Sequence, residues 1–342
     1  MTASGSSYRT VKSLGWFLAG IALALCALEA LLRLLPVSTS SATGYYIDPL
    51  ILTYPAHSSF RNATGWRLSR SQPLHSNNYG FVADHDFGPN PAAVALIGDS
   101  YVEASMLPAQ DRLAAQIERR LSGRPVFALG SPGTSILDYA ERIRFAAAHF
   151  ATTQFVVLLE RGDVGQSLCG SGNISGPCLN PRTLEPSTDR QQPPGTVKRL
   201  MRQFALPQYL FSQLKLDPAH WVRTMVNRIR PAPAPQRGLD PLRITPQAAT
   251  RVVETFFERI RACAGCRFIL VLAPGWREPA RSALLSAAEQ AHVVVLESEP
   301  FLSAYESASG LSMRVAPEDG HLNRLALGQI ADRIVPLIEP VR

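Results

Sequence analysis

The fold is decided by the stretch AVALIGDSYVEASML, residues 93–107. Its first part, residues 94–97, is continuously apolar and predicts a buried β-strand. The apolar run stops at Gly98, Asp99 and Ser100, and a short helix can begin there. A core strand that ends by presenting a serine is a candidate functional position, because ligands of parallel α/β sheets bind beyond the carboxyl ends of the strands.

Short apolar runs alternate with amphipathic segments along the rest of the chain. Five runs predict strands, at residues 94–98, 125–130, 154–160, 267–273 and 292–298. Helical spacing occupies residues 109–122, 135–150, 246–262, 277–291 and 323–339. This alternation is typical of a parallel sheet covered by helices on both faces. The loops after the first three strands, at residues 98–100, 130–134 and 160–163, should therefore share one edge of the sheet.

An apolar segment at residues 14–35 is long enough to cross a bilayer, which takes about 20 residues. Arg9 and Lys12 precede it, which favours a cytoplasmic N-terminus at residues 1–13 and export of the remainder. A cleaved signal peptide is the alternative, but the run is long for one, and no clean A-x-A site follows it before the linker at residues 36–44. We expect an uncleaved single-pass anchor in the cell membrane and a periplasmic domain.

The cysteines fit an exported domain. Cys26 lies in the apolar segment, and the other four form two pairs close in sequence, Cys169 with Cys178 and Cys263 with Cys266. Local disulfides are favoured in an oxidising compartment, although four cysteines allow three connectivities. A zinc site built from all four, or a redox C-x-x-C, are the alternatives.

The charge pattern argues against a nucleic-acid partner. The formal net charge is +7, nearly all of it from arginine, and no basic run is interleaved with aromatic residues. Such a surplus is typical of a solvated surface, helped by nearness to anionic lipid. The chain also has no G-x-G-x-x-G after a strand, no Walker loop and no H-E-x-x-H, so we expect neither a cofactor nor a metal.

Two regions depart from the alternating pattern. Residues 45–92 have no strong period and predict an irregular N-terminal extension before the main domain at residues 93–342. An insertion at residues 165–245 follows the third strand. It begins as a Cys/Gly/Asn/Pro-rich loop, and residues 196–231 then predict helices with basic faces. The insertion can cap the site, lie at the periphery or rest on the membrane surface, and the sequence does not separate these.

A nucleophilic serine needs a base, and His321 is the strongest candidate among seven histidines. It stands in a predicted loop before the last helix, and Asp319 lies two residues ahead, near enough to hold the ring. The order Ser … Asp-x-His is neither the chymotrypsin order nor that of the α/β-hydrolases. Taken singly, these residues also fit a helix cap at Asp99 and Ser100 and a simple turn at Asp319.

Three pieces of the sequence resemble the SGNH (GDSL-type) hydrolase superfamily in order and loop position: IGDSYVEA, LGSPGTS and EDGHLNRLALG. The apolar anchor followed by NNYGF looks like a membrane-anchored envelope branch of it. The resemblance covers roughly residues 90–160 and 247–340. We expect a three-layer α/β/α fold with a parallel, flavodoxin-like five-stranded sheet, an N-terminal transmembrane helix and a helical insertion after the third strand.

The resemblance also implies roles for individual residues. Ser100 would be the nucleophile, His321 the general base and Asp319 the group that orients His321. The backbone N–H groups of Ser100 and Gly133 would form the oxyanion hole. The family more often places the acid three residues before the histidine, so Glu318 is the second candidate.

One block departs from the family pattern. The family has an asparagine after the third strand, whose amide is a third oxyanion donor, whereas this chain has LLERGDVGQS with Gly162 at that place. Gly162 is the third expected oxyanion-hole position, after Ser100 and Gly133. Arg161 or Asn173 can replace the lost side-chain donor; the alternatives are weak activity or lost hydrolysis. Asp163 is expected to act as a cap or a loop ion-pair partner, and Asp99 as an auxiliary residue.

The sequence therefore predicts a membrane-anchored, extracytoplasmic serine esterase that hydrolyses an acyl ester or transfers the acyl group. O-acetylated envelope polysaccharide is the leading substrate, on resemblance and location alone. One alternative is a catalytically impaired envelope protein that keeps the fold and binds a glycan or a partner subunit. Another is a lipid-directed esterase whose insertion helices form a lid.

Overall fold

A computed structural model of the chain describes residues 4–66, 68–171, 176–216, 240–317 and 319–340. The chain divides into two compact units. The larger unit comprises residues 41–59, 74–193 and 232–342. The smaller unit comprises residues 1–40, 60–73 and 194–231.

The larger unit is built on a five-stranded parallel sheet. Its strands in chain order are β1 (Val94–Gly98), β2 (Val126–Gly130), β3 (Gln154–Leu159), β4 (Arg267–Leu272) and β5 (Val294–Glu297). The spatial order is β5-β4-β3-β1-β2, the flavodoxin-like arrangement, with register pairs such as Gly98 with Gly130. Every residue of β1 and β2 is buried, as expected for strands covered on both faces. The predicted parallel, flavodoxin-like sheet is confirmed.

Helices cover both faces of this sheet and complete the predicted three layers. One core contains the strand residues Ala95, Ile97 and Val157. It packs against the helices Ile136–Phe150, Pro246–Ile260 and Ala280–Gln290. The opposite core contains Leu96 and Val156. It packs against the helices Leu113–Arg120, Glu299–Ser309 and Arg324–Ile334.

The helix bounds follow local sequence signals. Ser135 and Asp138 form a capping box at the start of the helix Ile136–Phe150. Thr245 caps the helix Pro246–Ile260 by accepting a hydrogen bond from the Ala248 N–H. The helix Glu299–Ser309 is not predicted from the sequence. Leu302 is its only fully buried residue, and Phe301 and Tyr305 pack against the same core while partly buried.

The N-terminal extension is more regular than predicted. It contains one antiparallel strand pair, Gly44–Asp48 with Ile51–Thr53, and a second, Ser59–Ala63 with Ser71–His75. These strands are three to five residues long, too short to give a visible period. The insertion begins with the short helix Asp163–Gln166 and a further strand pair, Pro177–Leu179 with Pro186–Thr188.

Both predicted local disulfides are present in the larger unit. Cys169 is bonded to Cys178 and Cys263 to Cys266, with Cα–Cα distances of 5.2 and 5.4 Å. This pairing leaves no four-cysteine cluster for the alternative zinc site, and Cys26 is the free cysteine.

The smaller unit is organised around the N-terminal helix Ser4–Leu34. Residues 12–34 of this helix are long and apolar enough to cross a membrane by length and composition. Near its end, Glu29 pairs with Arg33 at 2.7 Å. The two Glu29 carboxylate oxygens also accept the backbone N–H groups of Ala205 and Leu206, both at 2.9 Å. The apolar helix is therefore hydrogen-bonded to the insertion inside one folded unit.

The insertion helices follow only part of the prediction. Within residues 196–216 the structure has the helix Thr196–Met201, the single turn Ala205–Pro207 and the π-helix Gln208–Gln213. The predicted helix at residues 221–230 lies outside the described residues.

Candidate active site

The serine of the opening stretch stands at a tight strand-to-helix turn. Ser100 is the first residue of the short helix Ser100–Glu103, and Asp99 caps it by accepting a hydrogen bond from the Tyr101 N–H at 2.8 Å. A Cβ at position 98 would lie 2.5 Å from a Val102 methyl, so only glycine lets the strand end this close to the helix. The geometry presents a half-buried hydroxyl at the carboxyl edge of the sheet.

A histidine and an aspartate from the far end of the chain meet this serine. Ser100 Oγ lies 2.9 Å from His321 Nε2, across 221 positions of sequence. On the other side of the ring, His321 Nδ1 lies 2.5 Å from Asp319 Oδ1. The same oxygen accepts the backbone N–H of His321 at 3.1 Å, which ties the carboxylate to the segment that carries the imidazole.

This segment is a β-hairpin and not the predicted loop. Asp319–Leu322 pairs antiparallel with Arg314–Ala316. The next residue, Asn323, caps the last helix by accepting the N–H groups of Leu325 and Ala326. Its amide also donates to the carbonyl of Arg314 in the opposite strand and to that of Ser312 just before it. The hairpin and the Asn323 helix cap together fix the position of the His321 imidazole.

Tyr101 closes one side of the imidazole. Its ring centroid lies 4.9 Å from that of His321, and its hydroxyl donates to the Gly320 carbonyl at 3.3 Å. Tyr101 is not among the site residues predicted from the sequence. The available signal for it was its place directly after Ser100.

Gly133 lies on the loop that follows the neighbouring strand. Because Gly98 pairs with Gly130, the loops after β1 and β2 are adjacent. Gly133 has a φ of +72°, which a residue with a side chain rarely adopts. A Cβ at Gly130 would lie 2.5 Å from the Glu103 backbone nitrogen, so glycine is also needed where the two loops approach.

Gly162, the residue in the asparagine position, has a different environment. Its N–H donates to Glu160 Oε2 at 2.6 Å, so that amide is already engaged by a carboxylate. A Cβ built on Gly162 would lie 2.7 Å from Gln166 Nε2 and 2.8 Å from Glu160 Oε2. The Gln166 amide therefore occupies the space where a side chain at position 162 would begin. The other end of that amide, Oε1, is buried without a hydrogen-bond partner among the described residues.

Arg161, predicted to replace the missing donor, is an ion-pair partner. Its Nε lies 3.3 Å from Glu160 Oε1, and nearly half of its side chain is exposed. A Cβ built on Gly275 would lie 3.1 Å from Arg161 Cδ, so the Arg161 side chain lies close to the Gly275 backbone. The other candidate, Asn173, and the alternative acid, Glu318, both lie outside the described residues.

Asp163 is a hydrogen-bond partner in the turn after β3, whereas the prediction was a helix cap or an ion-pair partner. Gly162 is the N-cap of the helix Asp163–Gln166, and among the described residues Asp163 has no ion pair. Its carboxylate accepts the Glu160 N–H at 2.7 Å and the Tyr139 hydroxyl at 3.0 Å. Burial, and then the neighbouring charges of Asp99 and Glu160, raise the pKa of Asp163 well above its ordinary value. With both oxygens used by the fold, Asp163 holds the turn at residues 160–163.

Asp99 has an unusual protonation equilibrium for a capping residue. Burial raises the pKa of Asp99 to about 6, and the charge of Glu160 adds to the rise, while the hydrogen bond from Tyr101 opposes it. The carboxyl group behind Ser100 therefore changes charge near neutral pH.

Arg142, which is not among the predicted site residues, connects the ends of β1 and β2 with the loop that follows β2. It is fully buried. One guanidinium nitrogen donates to the Gly98 carbonyl at 2.5 Å and to the Leu129 carbonyl at 3.3 Å, and another donates to Thr134 Oγ1 at 2.9 Å. Its only sequence signal was an arginine on the apolar side of a helix, four residues after Asp138.

The described residues contain no group of three or more His, Cys, Asp or Glu side chains able to hold a metal ion. The chemistry available at this edge is that of a hydroxyl, an imidazole and a carboxylate in line. Such a set can activate an alcohol as a nucleophile.

No family model matches the chain. No curated protein matches it in sequence.

Similarity is found among solved structures. A lipolytic protein of the G-D-S-L family from Veillonella parvula has a TM-score of 0.39 and 13% identity, covering 73% of this chain and 99% of that one. An acetyl xylan esterase from Butyrivibrio proteoclasticus has a TM-score of 0.36 and 10% identity, covering 74% of this chain and 64% of that one. A family two carbohydrate esterase from Clostridium thermocellum, in complex with cellohexaose, has a TM-score of 0.35 and 8% identity, covering 73% and 64%.

Proposed function

We propose that the chain is a serine esterase in which Ser100, His321 and Asp319 form the catalytic triad. The observation that carries this proposal is the continuous pair of contacts on one imidazole: 2.9 Å from Nε2 to Ser100 Oγ and 2.5 Å from Nδ1 to Asp319 Oδ1. Both distances lie within the reach required of a nucleophile, its base and the group that orients the base.

The reaction follows from the position of the protons. Asp319 accepts a hydrogen bond from Nδ1–H and keeps that proton on Nδ1, which leaves Nε2 as the acceptor for the Ser100 hydroxyl proton. Ser100 Oγ attacks the ester carbonyl, His321 takes its proton, and the same proton passes to the leaving alcohol when the tetrahedral intermediate collapses. Attack by water on the acyl-enzyme gives hydrolysis, and attack by a sugar hydroxyl gives transfer.

The developing oxyanion needs hydrogen-bond donors. We assign the backbone N–H groups of Ser100 and Gly133 to this role, since the loops that carry them are adjacent. Gly162 cannot contribute its N–H while that group donates to Glu160. We assign the third donor to the side-chain amide of Gln166, because it fills the space beside Gly162 where the asparagine of the family pattern would begin.

We propose that the helix at residues 12–34 is a retained membrane anchor. A cleaved leader would leave the folded protein, whereas Glu29 and Arg33 make hydrogen bonds with residues 203–206 of the insertion. The two disulfides support an extracytoplasmic location for the hydrolase domain at residues 93–342. O-acylated envelope polysaccharide is the substrate class we propose, on the motif resemblance and this location.

A second candidate function is a non-hydrolytic envelope protein that binds a glycan or a partner subunit. The observation that favours it is the carboxylate of Glu160 on the Gly162 amide, where the family pattern has an asparagine that donates to the oxyanion.

Ester hydrolysis by the full chain in detergent micelles separates the two candidates. We expect p-nitrophenyl acetate to be hydrolysed, and Ser100→Ala or His321→Ala to reduce kcat about 10⁴-fold or more without unfolding the protein. Exposed matched controls, Ser309→Ala and His149→Ala, should leave kcat unchanged. Equal activity in Ser100→Ala and the native chain would refute Ser100 as the catalytic nucleophile. Hydrolysis of O-acetyl xylan by the same variants tests the acetylated-sugar substrate.

A further inference from the structure

A cationic groove lies in the smaller unit at the end of the N-terminal helix. Its volume is about 490 Å³, and its lining comes entirely from residues 32–40, residue 61 and residues 202–208. Three of the lining residues are arginines: Arg33, Arg61 and Arg202. No lining residue is acidic.

Two of these arginines carry charges that the described protein does not neutralise. Arg33 is paired with Glu29 at 2.7 Å. Among the described residues, the Arg61 guanidinium donates only to an uncharged hydroxyl, Ser71 Oγ, at 3.3 Å. The Arg202 side chain is partly buried and has neither an ion pair nor a hydrogen bond to any residue that the structure describes. The groove therefore carries a net charge of about two positive units available to an anion.

Apolar side chains border the same groove. Leu34, at the end of the helix, is 84% exposed, and Phe204 is 42% exposed. Leu200, on the neighbouring short helix, is 56% exposed. Residues 194–213 contain no aspartate or glutamate. Guanidinium groups beside open apolar surface suit a ligand that has an anionic head and a hydrocarbon tail.

The position of the groove along the chain defines the source of such a ligand. The span that is apolar enough to cross a bilayer ends at Leu34, which is itself a lining residue. In an anchored protein this places Arg33 and the two unpaired arginines at the depth of the lipid headgroups. Guanidinium groups bind phosphate oxygens through two parallel hydrogen bonds, and anionic lipids attract basic residues at this depth.

We propose that this groove binds an anionic phospholipid, with Arg61 and Arg202 on the headgroup phosphate and Leu34 and Phe204 against the acyl chains. The site would fix the part of the insertion that belongs to the smaller unit to the membrane surface. The proposal rests on the membrane anchoring proposed above and not on the ester chemistry.

Lipid binding by the full chain tests the proposal. Purified protein in neutral detergent is titrated with phosphatidylglycerol, phosphatidylcholine or inorganic phosphate, and bound lipid is counted by native mass spectrometry. We expect saturable binding of one phosphatidylglycerol. Loss of each arginine, in Arg61→Gln and Arg202→Gln, should weaken that binding about tenfold. Lys198→Gln with Arg199→Gln is the matched control, because both residues are exposed and neither lines the groove.

Three outcomes would overturn the assignment. They are equal binding of phosphatidylcholine, equal competition by inorganic phosphate, and an equal loss in the Lys198/Arg199 control. Arg202→Lys keeps the charge and should retain most of the binding, which guards against loss by misfolding. Hydrolysis of a soluble ester should not change in any of these variants, so failure of the lipid site and failure of the esterase are read separately.

Discussion

Replacing Glu103 by glutamine should stabilise the protein at alkaline pH and leave its stability unchanged in acid. Glu103 ends the short helix that Ser100 begins, is almost fully buried, and accepts the Tyr54 hydroxyl at 3.1 Å. Burial raises the pKa of Glu103 from 4.5 to about 7, and the Tyr54 hydrogen bond and the Arg112 charge only partly offset that rise.

The size and sign of the effect follow from this shift. The folded-state pKa is higher than the unfolded one, so the folded protein favours the neutral acid, and ionisation costs folding free energy as pH rises through about 7. A rise from 4.5 to about 7 corresponds to about 3 kcal/mol. Glutamine is neutral at every pH and can still accept the Tyr54 hydroxyl. Glu103→Gln should therefore raise the free energy of unfolding by up to about 3 kcal/mol at pH 8.5 and by almost nothing at pH 4.5.

Urea unfolding of the full chain in detergent, followed by tryptophan fluorescence at the two pH values, measures this difference. The matched control is Glu289→Gln on an exposed helix surface, which should change little at either pH. A gain that is the same at pH 4.5 and pH 8.5, or a loss at pH 8.5, would refute the reasoning.

Three further predictions concern the candidate site. Asp319→Asn keeps the size of the side chain but removes the charge that fixes the Nδ1 proton, so kcat should fall about 10³–10⁴-fold with KM little changed, measured on p-nitrophenyl acetate. Gln166→Ala should lower kcat about 10²-fold if its amide is the third oxyanion donor, and an unchanged kcat would remove it from that role. Arg142→Met should reduce the free energy of unfolding by about 3–5 kcal/mol in urea titrations, because buried carbonyls and carboxylates lose their cation; a change below about 1 kcal/mol would contradict its bridging role.

The sheet could be predicted from the sequence because its strands are buried on both faces. The run at residues 94–98 is apolar throughout, and the strand has the same bounds. Buried parallel strands have this continuous pattern, and it does not depend on distant residues. The helix Glu299–Ser309 was missed for the opposite reason, since its apolar face is limited to Phe301, Leu302 and Tyr305 and only Leu302 is fully buried.

The site residues could be predicted only where the residue type and its short motif indicate a chemical role. Ser100, Asp319 and His321 stand in short motifs whose order is readable, and the structure brings them within hydrogen-bond distance. Arg142 could not be predicted, because its role depends on which backbone carbonyls of the folded sheet lie within hydrogen-bond distance of its guanidinium. Gln166 was not predictable either, since its amide reaches Gly162 only through the turn of the short helix Asp163–Gln166.

A fluorophosphonate probe is the most direct test of whether the Ser100 hydroxyl is an activated nucleophile. The full chain in detergent is treated with the probe, digested and examined by mass spectrometry, with Ser100→Ala treated in parallel. We expect one phosphonylated serine, Ser100, in the native chain and no labelling in Ser100→Ala. Folded protein that stays unlabelled, or that is labelled equally in the Ser100→Ala variant, would contradict it.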